Sequence, residues 1–170
     1  MTTAPAADYG DGNVKVLWVP ALADPTNPTT AEVTAVGVVD LTDYLTNDGF
    51  NPTTDQQATT DERLGSRQTF KRAGRYTNSL SLRYVYRQQA AVGATDNKAF
   101  TTLRHLTQGY VVARWGKAYE VAMAAADKVD VWPAECGYQV KLPKEDNATL
   151  KIEQEIFVRS AVAQDATVAA

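Results

Sequence analysis

From Asn78 to Gln88 the side chains alternate: Leu80, Leu82, Tyr84 and Tyr86 fall on one parity, Ser79, Ser81, Arg83 and Arg87 on the other. Successive side chains of a strand point to opposite faces, so a period of two marks a strand with one buried face. The same rule recurs in Asn13 to Pro20, Glu32 to Leu41, Tyr110 to Trp115, Lys128 to Trp132, Gly137 to Leu142 and Thr149 to Ser160. In the last of these, Leu150, Ile152, Ile156 and Val158 face in, while Lys151, Glu153, Glu155 and Arg159 face out. Turn signals separate the segments. They are Asp24-Pro25-Thr26-Asn27-Pro28, where two prolines fix the backbone and remove donors, and Asn47-Asp48-Gly49. One helix is expected over about residues 96–108, capped by Thr95 or Asp96, with Phe100, Leu103 and Leu106 as its apolar stripe and Gly109 at its end. Seven or so strands and one amphipathic helix read as a mainly β fold, a β-sandwich or a barrel-forming sheet with the helix packed on one open face.

A chain of 170 residues, 44% hydrophobic, is expected to bury a sizeable core in one domain, here residues 13–160. Residues 1–12 and 161–170 are rich in Ala, Thr and Asp, lack periodicity and are expected to be flexible. The first residues have neither the basic nor the apolar stretch of a secretory signal, and no run approaches the ~18–20 apolar residues of a membrane span, so no membrane insertion is expected. Cys136 is the only cysteine, which excludes an internal disulfide and suits synthesis in a reducing cytoplasm.

The charges are sorted along the chain. Residues 1–62 carry ten acids and one base, residues 63–118 eleven bases and one acid, and residues 119–170 nine acids and five bases. Such blocks can become oppositely charged surfaces through which copies meet head to tail. They can also be interleaved by strand pairing, leaving only one segment with a distinct charge. That segment is the arm, residues 50–75. Between Asn51 and Thr69 the only apolar residues besides Pro52 are Ala58 and Leu64, too few to offset the ordering entropy within one subunit. Its Thr and Gln content suits strands. Two readings stand: a disordered loop, or an arm ordered against neighbouring copies. In the second, Asp55, Asp61 and Glu62 and the bases Arg63, Arg67, Lys71, Arg72 and Arg75 make the contacts between subunits.

Catalytic signals are sparse. His105 is the only histidine and lies beside the helix stripe, and Cys136 has no adjacent base in sequence. There is no zinc or calcium ligand spacing and no phosphate-cradling glycine motif, so no cofactor and no enzymatic activity are expected. Glu153 and Glu155 share an outward strand face, which suits a solvated or channel-lining surface better than an acid–base pair. Arg83 and Arg87 lie on the face opposite Tyr84 and Tyr86, which argues against a nucleic-acid stacking platform.

Several segments resemble the major tail tube proteins of long-tailed, siphovirus-type bacteriophages. They are the Val-rich opening strand ending in Trp-Val-Pro (Val14 to Pro20), Asp-Leu-Thr-Asp-Tyr-Leu (Asp40 to Leu45) leading into a polar arm, and Lys-Arg-Ala-Gly-Arg-Tyr (Lys71 to Tyr76). A Tyr-rich strand, one helix and closing strands ending at Phe157 follow. The resemblance implies a virion structural protein, assembled in the host cytoplasm into stacked, hexameric rings whose strands join in one barrel around a channel. It further implies an arm that reaches the adjacent ring. Implied partners are copies of itself, the tape-measure, tail-terminator and tail-tip proteins, and double-stranded DNA in passage. An acidic lumen, with Glu153 and Glu155 as candidates, would let phosphates slide by. A tube component of a contractile or secretion-type injection machine and a monomeric β-sandwich binding module are the alternatives.

Overall fold

The computed structural model describes residues 4–91 and 94–170. In chain order the elements are β1 (Val14–Val19), α1 (Thr30–Val33), β2 (Val39–Asp40), β3 (Leu45–Asp61), β4 (Phe70–Val85), α2 (Lys98–Thr102, after a 3-10 turn at Thr95–Asn97), β5 (Gln108–Trp115), β6 (Lys128–Lys141), β7 (Lys151–Val158) and β8 (Ala163–Thr167). The strands form one antiparallel sheet in the order β2-β1-β5-β6-β7-β4-β3, with β8 added to the start of β6. The sheet curls into a half-barrel, as the mainly β expectation required.

The inner face holds the larger core. Trp18, Leu41, Leu80, Leu82, Tyr84, Val111, Trp132, Ile152 and Ile156 meet there, and α2 closes it with Ala99 and Leu103. Each such side chain is worth about 1.5–3 kcal/mol on leaving water. One polar side chain enters this core. Gln154 donates to the carbonyls of Leu103 (2.7 Å) and Gly137 (2.9 Å) and accepts from the Tyr84 hydroxyl (3.0 Å). Gln139 donates to the same hydroxyl at 2.8 Å and to the Phe100 carbonyl at 2.9 Å. These amides satisfy the carbonyls at the end of α2 and tie it to the sheet. A second cluster (Leu17, Val19, Leu22, Val33, Met123, Val129, Val131, Ala166, Val168) covers the outer face, but only over β1, β5 and the first half of β6.

Four expectations are corrected. The segment 32–41 is not a strand. Thr29 and Glu32 form a capping box that starts α1: the Thr29 hydroxyl accepts from the Glu32 N–H, and the Glu32 carboxylate accepts from the Thr29 N–H at 2.8 Å. Only Val39–Asp40 pair as β2. The helix expected over 96–108 shrinks to Lys98–Thr102, because Leu106 adopts φ 64 and donates to the Cys136 carbonyl, strapping residues 104–107 to β6. Asn47-Asp48-Gly49 is no chain reversal but an irregularity within β3. A side chain at Gly49 would lie 2.1 Å from the Arg83 carbonyl, so only glycine lets the strands approach there. The segment 161–170, expected to be flexible, supplies β8 and the buried Ala166 and Val168.

The expected strands 128–132 and 137–142 are one continuous β6. Its first half pairs with β5 and β8, its second with β7. The change of partner brings a bulge between Cys136 and Gln139, where a Cβ on Gly137 would meet the Glu155 carbonyl at 2.6 Å.

Candidate assembly surfaces

Three features of the sheet are left uncompleted within the chain, and all lie in the layer β3–β4–β7–β6. The first is the arm. β4 pairs with β7 only from Leu80 to Val85, whereas β3 and β4 stay paired out to Asp61 opposite Phe70. The distal half is therefore a ribbon of two strands, and nearly all its residues are exposed. It is ordered by its own ladder and is not a loop, although a two-stranded ribbon in water is marginal without a covering partner. Thr54, Thr59 and Thr60 and their partners give it β-propensity without a core.

Asp55, Glu62, Arg67, Lys71 and Arg75 in this arm are exposed and make no ion pair among the described residues. Arg63 reaches Asp61 at 3.2 Å and Arg72 reaches it at 4.0 Å, both at the surface. The register sets Lys71 opposite Thr60 and Arg72 opposite Thr59, so neither base has an acid directly opposite, and Asp61 is the one acid that the arm's bases reach. In the body the sorted charges are instead interleaved. Arg83 on β4 is held between Asp48 on β3 and Glu153 on β7 (3.2 Å), and Lys15 meets Asp40 at 2.7 Å. The arm is thus where the basic block keeps a surface of its own.

The second feature is the pair of strand edges bounding the layer. β3 ends the sheet and offers one edge over 17 residues. The second half of β6, beyond Cys136, pairs with β7 alone and offers the other. Tyr138 (74% exposed) and Val140 (56%) sit on it. Pro52 and two irregularities interrupt the β3 edge, and the free part of β6 starts at the Gly137 bulge.

The third feature is the uncovered outer face of the layer. Glu153 and Glu155 lie there, opposite Arg83 and Ser81 across β4, with Val140 and Phe157 beside them. The parity read from the sequence placed both carboxylates correctly. The apolar neighbours come from β6 and were not foreseen, because the bulge at Gly137 shifts Tyr138 and Val140 onto this face.

Other reactive groups are spoken for. Burial pushes the Cys136 thiol up to about 12, with Glu135 adding to the effect. His105 is exposed and rests on Tyr138, ring centres 5.0 Å apart. Among the described residues no group of His, Cys, Asp or Glu is placed to hold a metal ion, and no helix is long and apolar enough to cross a membrane.

A sheet open on two edges, with one bare face and a projecting ribbon, defines a component of an assembly. The sequence model of the family described as phage tail tube protein matches residues 1–170, and the chain belongs to that family. It is a structural protein of the phage tail. No match is found among curated proteins. Among solved structures, the fold is similar to that of a chain in the cryo-EM structure of the anti-feeding prophage (AFP) baseplate, 6-fold symmetrised. The TM-score is 0.52 and the identity 9%, over 96% of this chain and 98% of that one. At that identity the likeness concerns the fold alone.

Proposed function

We propose that this chain builds the tail tube as stacked rings, six copies to a ring, and that the viral genome passes through the bore. The observation that carries the reading is the open layer β3–β4–β7–β6. Pairing the β3 edge of one copy with the free part of β6 in the next continues the sheet around a ring. The ribbon projects along the strand direction and makes the contact between rings, a head-to-tail contact that propagates without closing. Six-fold symmetry agrees with the printed symmetry of the AFP baseplate, whose chain has a similar fold. Assembly in the host cytoplasm, a tape-measure protein in the bore, and terminator and tip proteins at its ends complete the proposal.

Negative-stain microscopy of the concentrated protein tests it: rings or tubes with a central hole are expected, and small featureless particles at all concentrations would refute it. The baseplate likeness favours a second placement, in a single ring at the tail end, and long uniform tubes exclude that placement.

The bare face with Glu153 and Glu155 then lines the bore. Carboxylates there leave DNA phosphates unbound, whereas cations would hold them. Glu155→Lys spares the Arg83 pair of Glu153. Tubes of this variant are expected to assemble normally and to release DNA roughly tenfold more slowly at low salt, with the defect shrinking near 0.2 M. Release kinetics equal to wild type at all salt concentrations would remove Glu155 from the lumen.

A further inference from the structure

We propose that the arm tip, Arg63-Leu64-Gly65-Ser66-Arg67, docks into a groove at the far end of β3 in a second copy of this chain. Leu64 would enter the groove, and Arg63 and Arg67 would meet its aspartates. The inference rests on the tube reading and supplies the receptor for the arm. Leu64 is fully exposed at the turn between β3 and β4, an apolar knob with a base on either side. The groove, of about 720 Å³, has apolar walls from Val14, Val16, Leu45, Phe50 and Trp115. Trp115 is 48% exposed there, a large apolar surface left bare. Asp11 and Asp43 stand on the rim, both exposed and both without an ion pair among the described residues.

Geometry excludes the chain's own arm as the occupant. β3 begins at Leu45, in the groove, and ends at Asp61, at the tip. Its 17 residues at roughly 3.3 Å each separate the two by about 50 Å along one strand. Knob and groove therefore sit at opposite poles, as a head-to-tail contact requires. At the tip Arg67 makes no ion pair among the described residues and Arg63 is held only by a surface contact to Asp61, while Asp11 and Asp43 stand unpaired at the groove, so the contact would join an apolar centre to a rim of opposite charges.

A cysteine pair reads the contact directly. Leu64→Cys with Asn47→Cys, at the groove wall, is assembled and oxidised. A ladder of covalent multimers on a denaturing gel is expected, and neither single variant gives one. Cys136 is buried and stays silent. Tubes that form normally but give no ladder overturn the docking and leave the tube reading intact. A wild-type chain that never forms tubes overturns both. If the cysteines themselves block assembly, a charge swap decides. Arg63→Glu with Arg67→Glu is expected to abolish tubes, and adding Asp11→Lys with Asp43→Lys to restore them. Failure to restore them would overturn the contact.

Discussion

Replacing residues 55–77 by Asn-Gly leaves a folded protein that no longer forms tubes. The truncation joins Thr54 to Asn78, which already face each other across the ladder, through a two-residue turn that suits the twist of a hairpin. Nothing in the body loses a partner, because the distal ribbon packs on no other strand. An isolated ribbon adds little to stability. The melting temperature is therefore expected to move by less than about 3 °C, which is under about 1 kcal/mol for a chain this size. Assembly is expected to stop at rings, since residues 45–54 of the β3 edge and the free part of β6 are kept. Microscopy and analytical ultracentrifugation at concentrations where wild type polymerises give the readout. Tubes of ordinary length from the truncated chain would show that stacking does not use the arm.

Arg114→Met is expected to lower stability by about 3–5 kcal/mol, the usual loss when one partner of a buried ion pair is removed. Arg114 is 1% exposed, the most deeply buried charge of the described residues. Its guanidinium donates to the carbonyls of Ala118 (2.8 Å), Val121 (2.8 Å) and Ala122 (3.0 Å) and to the Asp127 carboxylate (3.0 Å). Arg114 thereby helps to order the loop from Gly116 to Asp127, together with the Lys15 bond to the Tyr119 carbonyl and the buried Met123. A methionine fills the space and leaves three carbonyls and a carboxylate short of donors. Burial alone would raise the Asp127 pKa, but hydrogen bonds from Lys117, the Ala124 N–H and Arg114 outweigh it and lower it. A carboxyl lowered in the folded state stabilises the fold above its unfolded pKa, about 4, and this contribution is lost as pH falls through the lower folded value. Wild type should therefore weaken below about pH 4, and Arg114→Met should show a smaller share of that acid sensitivity. Urea melts from pH 3 to 7 measure both. A variant as stable as wild type at pH 7 would mean that water replaces the guanidinium.

Legibility differed by element for identifiable reasons. β4 and β7 were readable because each has one face in the core and so shows the period of two, whereas β1 and β5 are buried on both faces and were marked by their valine-rich runs. β6 was split in two because its buried side changes along its length: Val129 and Val131 pack on the outer cluster, Trp132, Ala134 and Cys136 on the inner. A strand buried first on one face and then on the other breaks the alternation. The segment 32–41 was misread because its valines imitate a strand, although Thr29-x-x-Glu32 was a sufficient signal for a helix start. β8 was missed because Ala163–Thr167 has small, polar residues, and its pairing depends on β6, which lies some thirty residues earlier.

By itself the amino-acid sequence determined the mainly β class, the facing of Glu153 and Glu155, and an arm with too little apolar surface to fold back on its own subunit. These depend on local alternation and on composition, which act over a few residues. Only the tertiary structure decided which strand edges stay open, that Arg83 is neutralised between two acidic strands while Arg67, Lys71 and Arg75 in the arm are not, and that Leu64 and the Trp115 groove lie at opposite poles. Those properties arise from which distant segments pair, and pairing is set by how a curled sheet buries its faces together, not by any one segment's pattern.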